Sequence, residues 1–206
     1  AGLDYLVEAG AGELFILHNA RSADFEIARA PLDSSGPLAA PEASWAPFLP
    51  PSPGVRWTEV NAYAGHVVAG LRRDGLTGIE IHPLEGGAPL RVGFDEPVHT
   101  VYPTGADDSD TDRVRVWYCS LTTPPSILDL TLASGALATL KTTPVLDHPA
   151  HGSYDPAAYV SERLWATADD GTQVPISVVR RRDVALDGTA PALLYGYGGY
   201  AISIDP

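Results

Sequence analysis

The feature that most limits what this chain can fold into is a phrase that occurs three times. Each copy has two short apolar runs joined by a polar turn: "ELFILHNARSADFEIARA", then "HVVAGLRRDGLTGIEIH", then "RVRVWYCSLTTPPSILDLT". Alternating apolar and polar residues bounded by Gly, Pro, Asp and Asn are a strand–turn–strand signal. They predict strands over 13–18, 25–30, 66–72, 78–82, 113–120 and 126–131. Phe15, Val68 and Val116 fall at matching places in the three copies, 53 and 48 residues apart. Units of roughly 40–50 residues with four short strands each are the mark of propeller blades. One blade cannot cover its own apolar faces, so blades stack around an axis. Three units are too few to close a ring, which takes at least about four. An irregular β-sandwich would show similar strand spacing, and spacing alone leaves both architectures open.

The 19 prolines and 20 glycines lie between apolar runs rather than in tracts, which suits many short strands and argues against long helices and disorder. Between the first two copies, seven prolines occur from Pro31 to Pro53. Such a stretch is either a polyproline ligand for a partner domain or a long connection that Trp45 and Phe48 pin to the body. The second is the simpler expectation. After residue 142 the pattern breaks: Pro144, Pro149, Gly152 and Pro156 punctuate a stretch that no periodic run crosses. Beyond it, "ERLWATADDGTQVPISVVRRR" predicts two strands joined by an Asp-Asp-Gly turn, and "PALLYGYGG" a continuously apolar strand buried on both faces. Two domains are expected, 1–151 and 152–206, with the second only begun.

Thirteen Lys and Arg against 26 Asp and Glu leave a formal charge of −13, which disfavours a nucleic-acid partner because a phosphate backbone needs a basic surface. No membrane partner is expected either, since no run of eighteen apolar residues is present. Without a basic-then-apolar leader, the expected location is the cytoplasm, or the periplasm if a leader precedes Ala1. The chain starts at Ala1 and has no methionine, so it reads as part of a longer gene product. Cys119 is the only cysteine and lies in an apolar strand, where a buried structural thiol is expected.

Catalytic and ligand motifs fail one by one. A nucleophile elbow, G-x-S-x-G, needs a tight strand-to-helix turn, and no serine has it. "DSDTDR" at 108–113 starts like a calcium loop, but Arg113 stands where glycine is required and Cys119 where the final acid belongs. "HPAH" at 148–151 spaces two imidazoles on a loop containing Pro149, with no third ligand near. "GYGGY" lacks the spacing of a dinucleotide or phosphate loop, and Arg180–Arg182 reads as surface charge at a strand end. No cofactor and no metal are expected.

Three phrases in order, "SLTTP" (120–124), "YVSERLWATADDGTQVPISVV" (159–179) and "LLYGYGGYAISIDP" (193–206), resemble the prolyl oligopeptidase family of serine peptidases. The likeness is nearest to the oligopeptidase B branch, strong after about Val98 and weaker before it. "GGY" in place of the commoner "GSY" leans toward the prolyl oligopeptidase branch. The resemblance implies a seven-bladed β-propeller that caps an α/β-hydrolase domain and limits access to oligopeptides. The chain would then hold the last three blades, 1–151, and the first strands of the hydrolase sheet, 152–206. Its partners would be the remainder of the hydrolase domain and an oligopeptide substrate, cut after basic residues or after proline. The triad residues lie further along in such proteins, so the chain alone is expected to be inactive.

The resemblance also implies roles for single residues. Tyr197, the second tyrosine of "YGYGG", would donate its phenol hydroxyl to a developing oxyanion. Gly196, Gly198 and Gly199 would supply a backbone conformation closed to residues with a Cβ. Tyr200 corresponds to an aromatic wall of the substrate cleft. Asp205 corresponds to an acid that pairs with a basic substrate residue, a bidentate match for a guanidinium. The plain alternatives are a tyrosine pair buried at a sheet edge, and a non-catalytic β-propeller binding module whose terminal strands dock a partner.

Overall fold

The structure is a computed structural model that describes residues 2–32, 44–106, 108–150 and 152–206. β1 (Tyr5–Gly10), β2 (Glu13–His18), β3 (Glu26–Pro31) and β4 (Ala46–Leu49) form one antiparallel sheet. β5 (Val55–Ala62), β6 (His66–Arg73), β7 (Leu76–Pro83) and β8 (Leu90–Arg91) form a second. β9 (His99–Gly105), β10 (Arg113–Ser120), β11 (Ser126–Thr131) and β12 (Leu137–Thr142) form a third. All three are meanders in chain order. β13 (Tyr159–Thr167) and β14 (Gln173–Arg181) make a separate hairpin.

The three meanders stack face to face. Phe15, Leu17 and Ile27 of the first sheet pack on Val67, Ala69 and Leu71 of the second. On its other side, the second sheet packs Val68, Ile79 and Ile81 against Val101, Val116 and Leu130 of the third. Residues 67–71 of β6 are therefore buried without interruption. This is why "VVAGL" is continuously apolar: a strand covered on both faces loses the polar half of its alternation.

β5 shows how register serves this packing. Trp57 lies opposite Leu71 and Glu59 opposite Gly70, which leaves Thr58 as an extra residue. A one-residue bulge exchanges the faces of a strand. Val55 and Trp57 before the bulge and Val60 and Ala62 after it consequently all join the cluster between the first two sheets. Gly70 sits opposite the bulge, where a Cβ would come within 2.9 Å of the Glu59 Cβ.

The stacked arrangement resolves the choice between blades and a sandwich in favour of blade-like units. Three predicted strands match at both ends (13–18, 113–120, 126–131), and the other three differ by one or two residues. Phe15, Val68 and Val116 each lie in the second strand of their sheet and are fully buried. Their faces differ, however. Phe15 and Val68 face the following sheet, whereas Val116 faces the preceding one; matching by strand leaves a one-residue slip that inverts the face.

Residues 33–43 of the proline-rich stretch lie outside the described residues. Its later part is pinned as expected, with Trp45 against the His18 ring at 4.7 Å and Phe48 edge-on to Phe15 at 5.2 Å. Residues 46–49 also supply the fourth strand of the first sheet. After β12, residues 143–155 form no strand, only an isolated bridge between His148 and Gly152; His151 is outside the described residues. Asp155 caps a short 3-10 turn at Pro156–Ala158 by accepting from the Ala157 N–H, and β13 begins there. In the β13–β14 turn, Gly171 takes φ +87° and Asp170 accepts from the Thr172 N–H at 2.9 Å. That is the left-handed backbone the Asp-Gly pair signals.

Two expectations are corrected. The apolar run at 191–198 is not a strand, and Leu193 and Leu194 are 93% and 87% exposed. An extended run becomes a strand only when a neighbour takes up its backbone N–H and C=O groups, and among the described residues none pairs with it. Cys119 is half-buried rather than enclosed, with its thiol 3.4 Å from the Pro206 carbonyl. Among the described residues no helix is long and apolar enough to cross a membrane.

Candidate functional site

The terminal residues return to the stacked sheets at the turn between β6 and β7. Asp74 and Gly75 form that turn, with φ of 52° and 76°, the pair of positive values a two-residue hairpin of matching twist requires. Arg72, just before it, donates from Nη1 to the Gly75 carbonyl at 2.9 Å. The same guanidinium grips Asp205 with both arms, Nη1 to Oδ1 at 2.6 Å and Nη2 to Oδ2 at 2.8 Å. Both side chains are about three-quarters buried, at 23% and 26% exposure. Next to Asp205, the Pro206 carbonyl accepts from Thr100 Oγ1 at 2.8 Å.

The hairpin reaches the same turn from another side. Arg163 of β13 donates from Nη2 to the Asp74 carbonyl at 2.6 Å and from Nη1 to Ser177 Oγ at 2.7 Å. A Cβ on Gly75 would fall 2.7 Å from Arg163 Nη2, so the close approach also depends on that glycine. Burial draws the Arg163 pKa down, with Asp74 working the other way. The middle sheet, the third sheet, the hairpin and the chain's last residues thus meet around one two-residue turn.

A second polar cluster lies on the third sheet. Glu96 accepts hydrogen bonds from the hydroxyls of Tyr118, Ser120 and Thr122, each at 2.6 Å. Burial would raise its pKa, but these donors outweigh burial and the carboxyl titrates below its usual range. Tyr118 is pushed the opposite way, by its own burial and then by Glu96. Ser120 Oγ accepts from the Thr122 and Thr123 N–H groups, so "SLTTP" is wound around this one carboxylate. The Tyr154 hydroxyl donates to the Thr122 carbonyl, which ties the connection to the hairpin onto the same loop.

The predicted site residues are distributed as follows. Tyr197 is 54% exposed and Tyr200 93% exposed. Among the described residues no hydrogen bond engages the Tyr197 hydroxyl, and none joins Tyr197, Tyr200 and Asp205. Tyr200 is the left-handed residue of the segment, at φ 56°, ψ 33°. None of Gly196, Gly198 and Gly199 has positive φ, and Gly198 takes φ −168°, ψ 10°. Gly199 serves by its missing side chain: a Cβ there would lie 3.1 Å from the Tyr197 hydroxyl oxygen. Among the described residues no group of His, Cys, Asp and Glu is arranged to hold a metal ion.

Sequence reading missed Arg72, Arg163 and Glu96. Asp205 and Arg72 are 133 residues apart, and a contact at that separation leaves no trace in periodicity. Only the "RRDG" phrase, which fixes Arg72 at a hairpin turn, marks the place.

Known proteins with this pattern were found by both sequence and structure. The chain is 32% identical to Protease 2 of Moraxella lacunata over 206 residues, which is 100% of this chain and 28% of that protein. It is 32% identical to Dipeptidyl aminopeptidase BI of Pseudoxanthomonas mexicana over 184 residues, 89% of this chain and 24% of that one. The chain therefore spans about a quarter of the length of these curated relatives. Among solved structures, Oligopeptidase B from Trypanosoma brucei with covalently bound antipain superposes with a TM-score of 0.82 at 30% identity, covering 100% of this chain and 29% of that one. Oligopeptidase B from Leishmania major gives 0.80 at 28% identity, with the same coverage. Residues 1–143 match the family described as prolyl oligopeptidase, N-terminal beta-propeller domain. With three stacked four-stranded meanders in the matched region, the chain belongs to the prolyl oligopeptidase family.

Proposed function

We propose that the chain carries part of the propeller of a serine oligopeptidase, residues 1–151, followed by the opening strands of its α/β-hydrolase domain, residues 152–206. The enzyme hydrolyses short peptides after basic residues or after proline, and the propeller limits access to the site. Tyr197 donates its hydroxyl to the oxyanion, Tyr200 forms a wall of the substrate cleft, and Asp205 receives a basic substrate residue. The observation that carries this proposal is the likeness to Protease 2, which runs through all 206 residues and so includes "YGYGG". Two features of the terminal part support it. Tyr197 is half-exposed and its hydroxyl has no internal partner among the described residues, which suits a donor whose acceptor appears only during reaction. The hairpin leaves apolar side chains uncovered, with Leu164 at 50% and Trp165 at 48% exposure, as expected of a sheet whose faces a further packed layer would cover.

The test replaces the aligned segment of the Moraxella protein by these 206 residues and follows arginyl and prolyl fluorogenic peptides. Tyr197→Phe in that chimera should lower kcat by about 10²–10³ and leave KM nearly unchanged. Unchanged turnover combined with lowered thermal stability would make the tyrosine a packing residue and overturn its assignment. The 206-residue chain alone should give no turnover, because a hydroxyl donor without nucleophile and base provides no attacking group.

A further inference from the structure

The carboxylate assigned above to a basic substrate residue already holds a guanidinium. Both Asp205 oxygens are taken, one by each arm of Arg72, at 2.6 and 2.8 Å. This is the fork-to-fork geometry by which a carboxylate would grasp the side chain of an arginyl peptide. We propose that Arg72 is a specificity-determining residue that occupies the Asp205 carboxylate in place of a substrate guanidinium, so that a basic peptide side chain binds there only by displacing it. The proposal rests on the assignment of Asp205 as a substrate-binding acid.

Three features make the occupation more than a passing surface contact. Arg72 is pre-placed by its own turn, since Nη1 also donates to the Gly75 carbonyl. The turn is held from outside by Arg163 on the Asp74 carbonyl. Asp205 is held in turn by its neighbour, whose carbonyl accepts from Thr100 and Cys119. Both members are therefore positioned by bonds other than the one between them. Removing Arg72 would leave the carboxylate in place.

Displacement exchanges one guanidinium for another, so the incoming residue gains little from the pair itself. The displaced Arg72 keeps the Gly75 carbonyl as a partner. Arg163 lies close enough to Asp205 to feel its charge, so an arriving cation also meets a second positive group. A lysine makes a poorer competitor than an arginine because it cannot reproduce the two-armed contact. Selection for arginyl over lysyl side chains, and weak capture of both, follow from the same geometry.

The experiment measures binding of N-acetyl-L-arginine amide to the 206-residue chain by NMR titration. N-acetyl-L-citrulline amide, the uncharged isostere, serves as the control. If Arg72 occupies the carboxylate nine-tenths of the time, apparent affinity is lowered about tenfold, so Arg72→Ala should bind the arginine amide about tenfold more tightly than the unaltered chain. The citrulline amide should show no gain. Arg72→Gln, which keeps a side chain at the turn, should show the same gain and guards against a loss of folding in the alanine variant. Adding Asp205→Asn to either variant should cancel the gain. Equal affinity of the unaltered chain and both Arg72 variants, each weakened by Asp205→Asn, would overturn the role of Arg72 and leave Asp205 as a guanidinium site. Binding that ignores Asp205→Asn throughout would overturn the Asp205 assignment, and the role of Arg72 with it.

Discussion

The middle sheet and the terminal hairpin are made of similar residues in opposite surroundings. β6 carries Val67, Val68, Ala69 and Leu71, all buried. β14 carries Val174, Ile176, Val178 and Val179, of which Val174 and Val179 are each 43% exposed. Both segments became strands, because β-branched residues bounded by turn signals favour an extended, paired backbone. Only one of them is enclosed. Strand formation is decided by a neighbour in the same sheet, and burial by a neighbour stacked on the face. The run at 191–198 has neither kind of neighbour among the described residues. Its apolar composition alone gives no strand.

The largest expected difference between the two regions is in truncation. Ile81→Ala, at a side chain 1% exposed between the second and third sheets, should cost about 2–5 kcal/mol. Leu164→Ala, at a side chain 50% exposed on the hairpin, should cost less than about 1 kcal/mol. Urea unfolding of the two variants measures both. Equal losses would mean that the hairpin is as enclosed as the blades.

Glycine substitution sharpens the same contrast at a smaller scale. Gly70→Ala puts a Cβ 2.9 Å from the Glu59 Cβ, in a sheet packed on both sides, and should cost about 1–3 kcal/mol through overpacking. Gly199→Ala puts one 3.1 Å from the Tyr197 hydroxyl, but that ring is half-exposed and can swing away. Its effect on stability should stay within about 0.5 kcal/mol.

The blades were legible in the sequence because their signal is local: strand alternation and turn residues repeat within each unit. Their register was less so. The extra residue at Thr58 re-aims half of β5 without changing its composition, and the Val116 match fell on the wrong face for the same kind of reason. The terminal residues were legible only through resemblance. "YGYGG" has no periodicity to read, and the left-handed position fell on Tyr200 rather than on a glycine. The Arg72–Asp205 pair was invisible because each partner looks like an ordinary surface charge until the fold joins them.

Acid should separate the regions more gently. Glu80 of β7 is 8% exposed, with Arg73 at 3.3 Å, Arg91 at 3.4 Å and His82 at 3.5 Å. His82 foremost, with help from Arg73, holds its carboxyl down to about 2 from an ordinary 4.5, against the upward push of burial. A carboxyl lowered by folding contributes stability above its unfolded pKa and loses it as pH falls through the folded one. That contribution should therefore be complete above about pH 4.5 and disappear toward about pH 2. Unfolding midpoints of Glu80→Gln should fall below those of the unaltered chain at pH 7 and converge with them across that window. Asp183, two residues past β14, is held below the usual carboxylate range by Arg181, but both side chains are more than half exposed and solvent screens the pair, so Asp183→Asn should change the acid profile far less than Glu80→Gln.

The difference between enclosed blades and an uncovered terminal segment is tested most directly by amide hydrogen exchange along the whole chain. Protection follows the free energy of local opening, which is greatest where backbone hydrogen bonds are paired and covered. Residues 66–83, the hairpin of the middle sheet, should exchange most slowly; the β13–β14 hairpin should be intermediate; residues 191–198 should exchange at close to the unprotected rate. Protection of 191–198 equal to that of 66–83 would contradict the account.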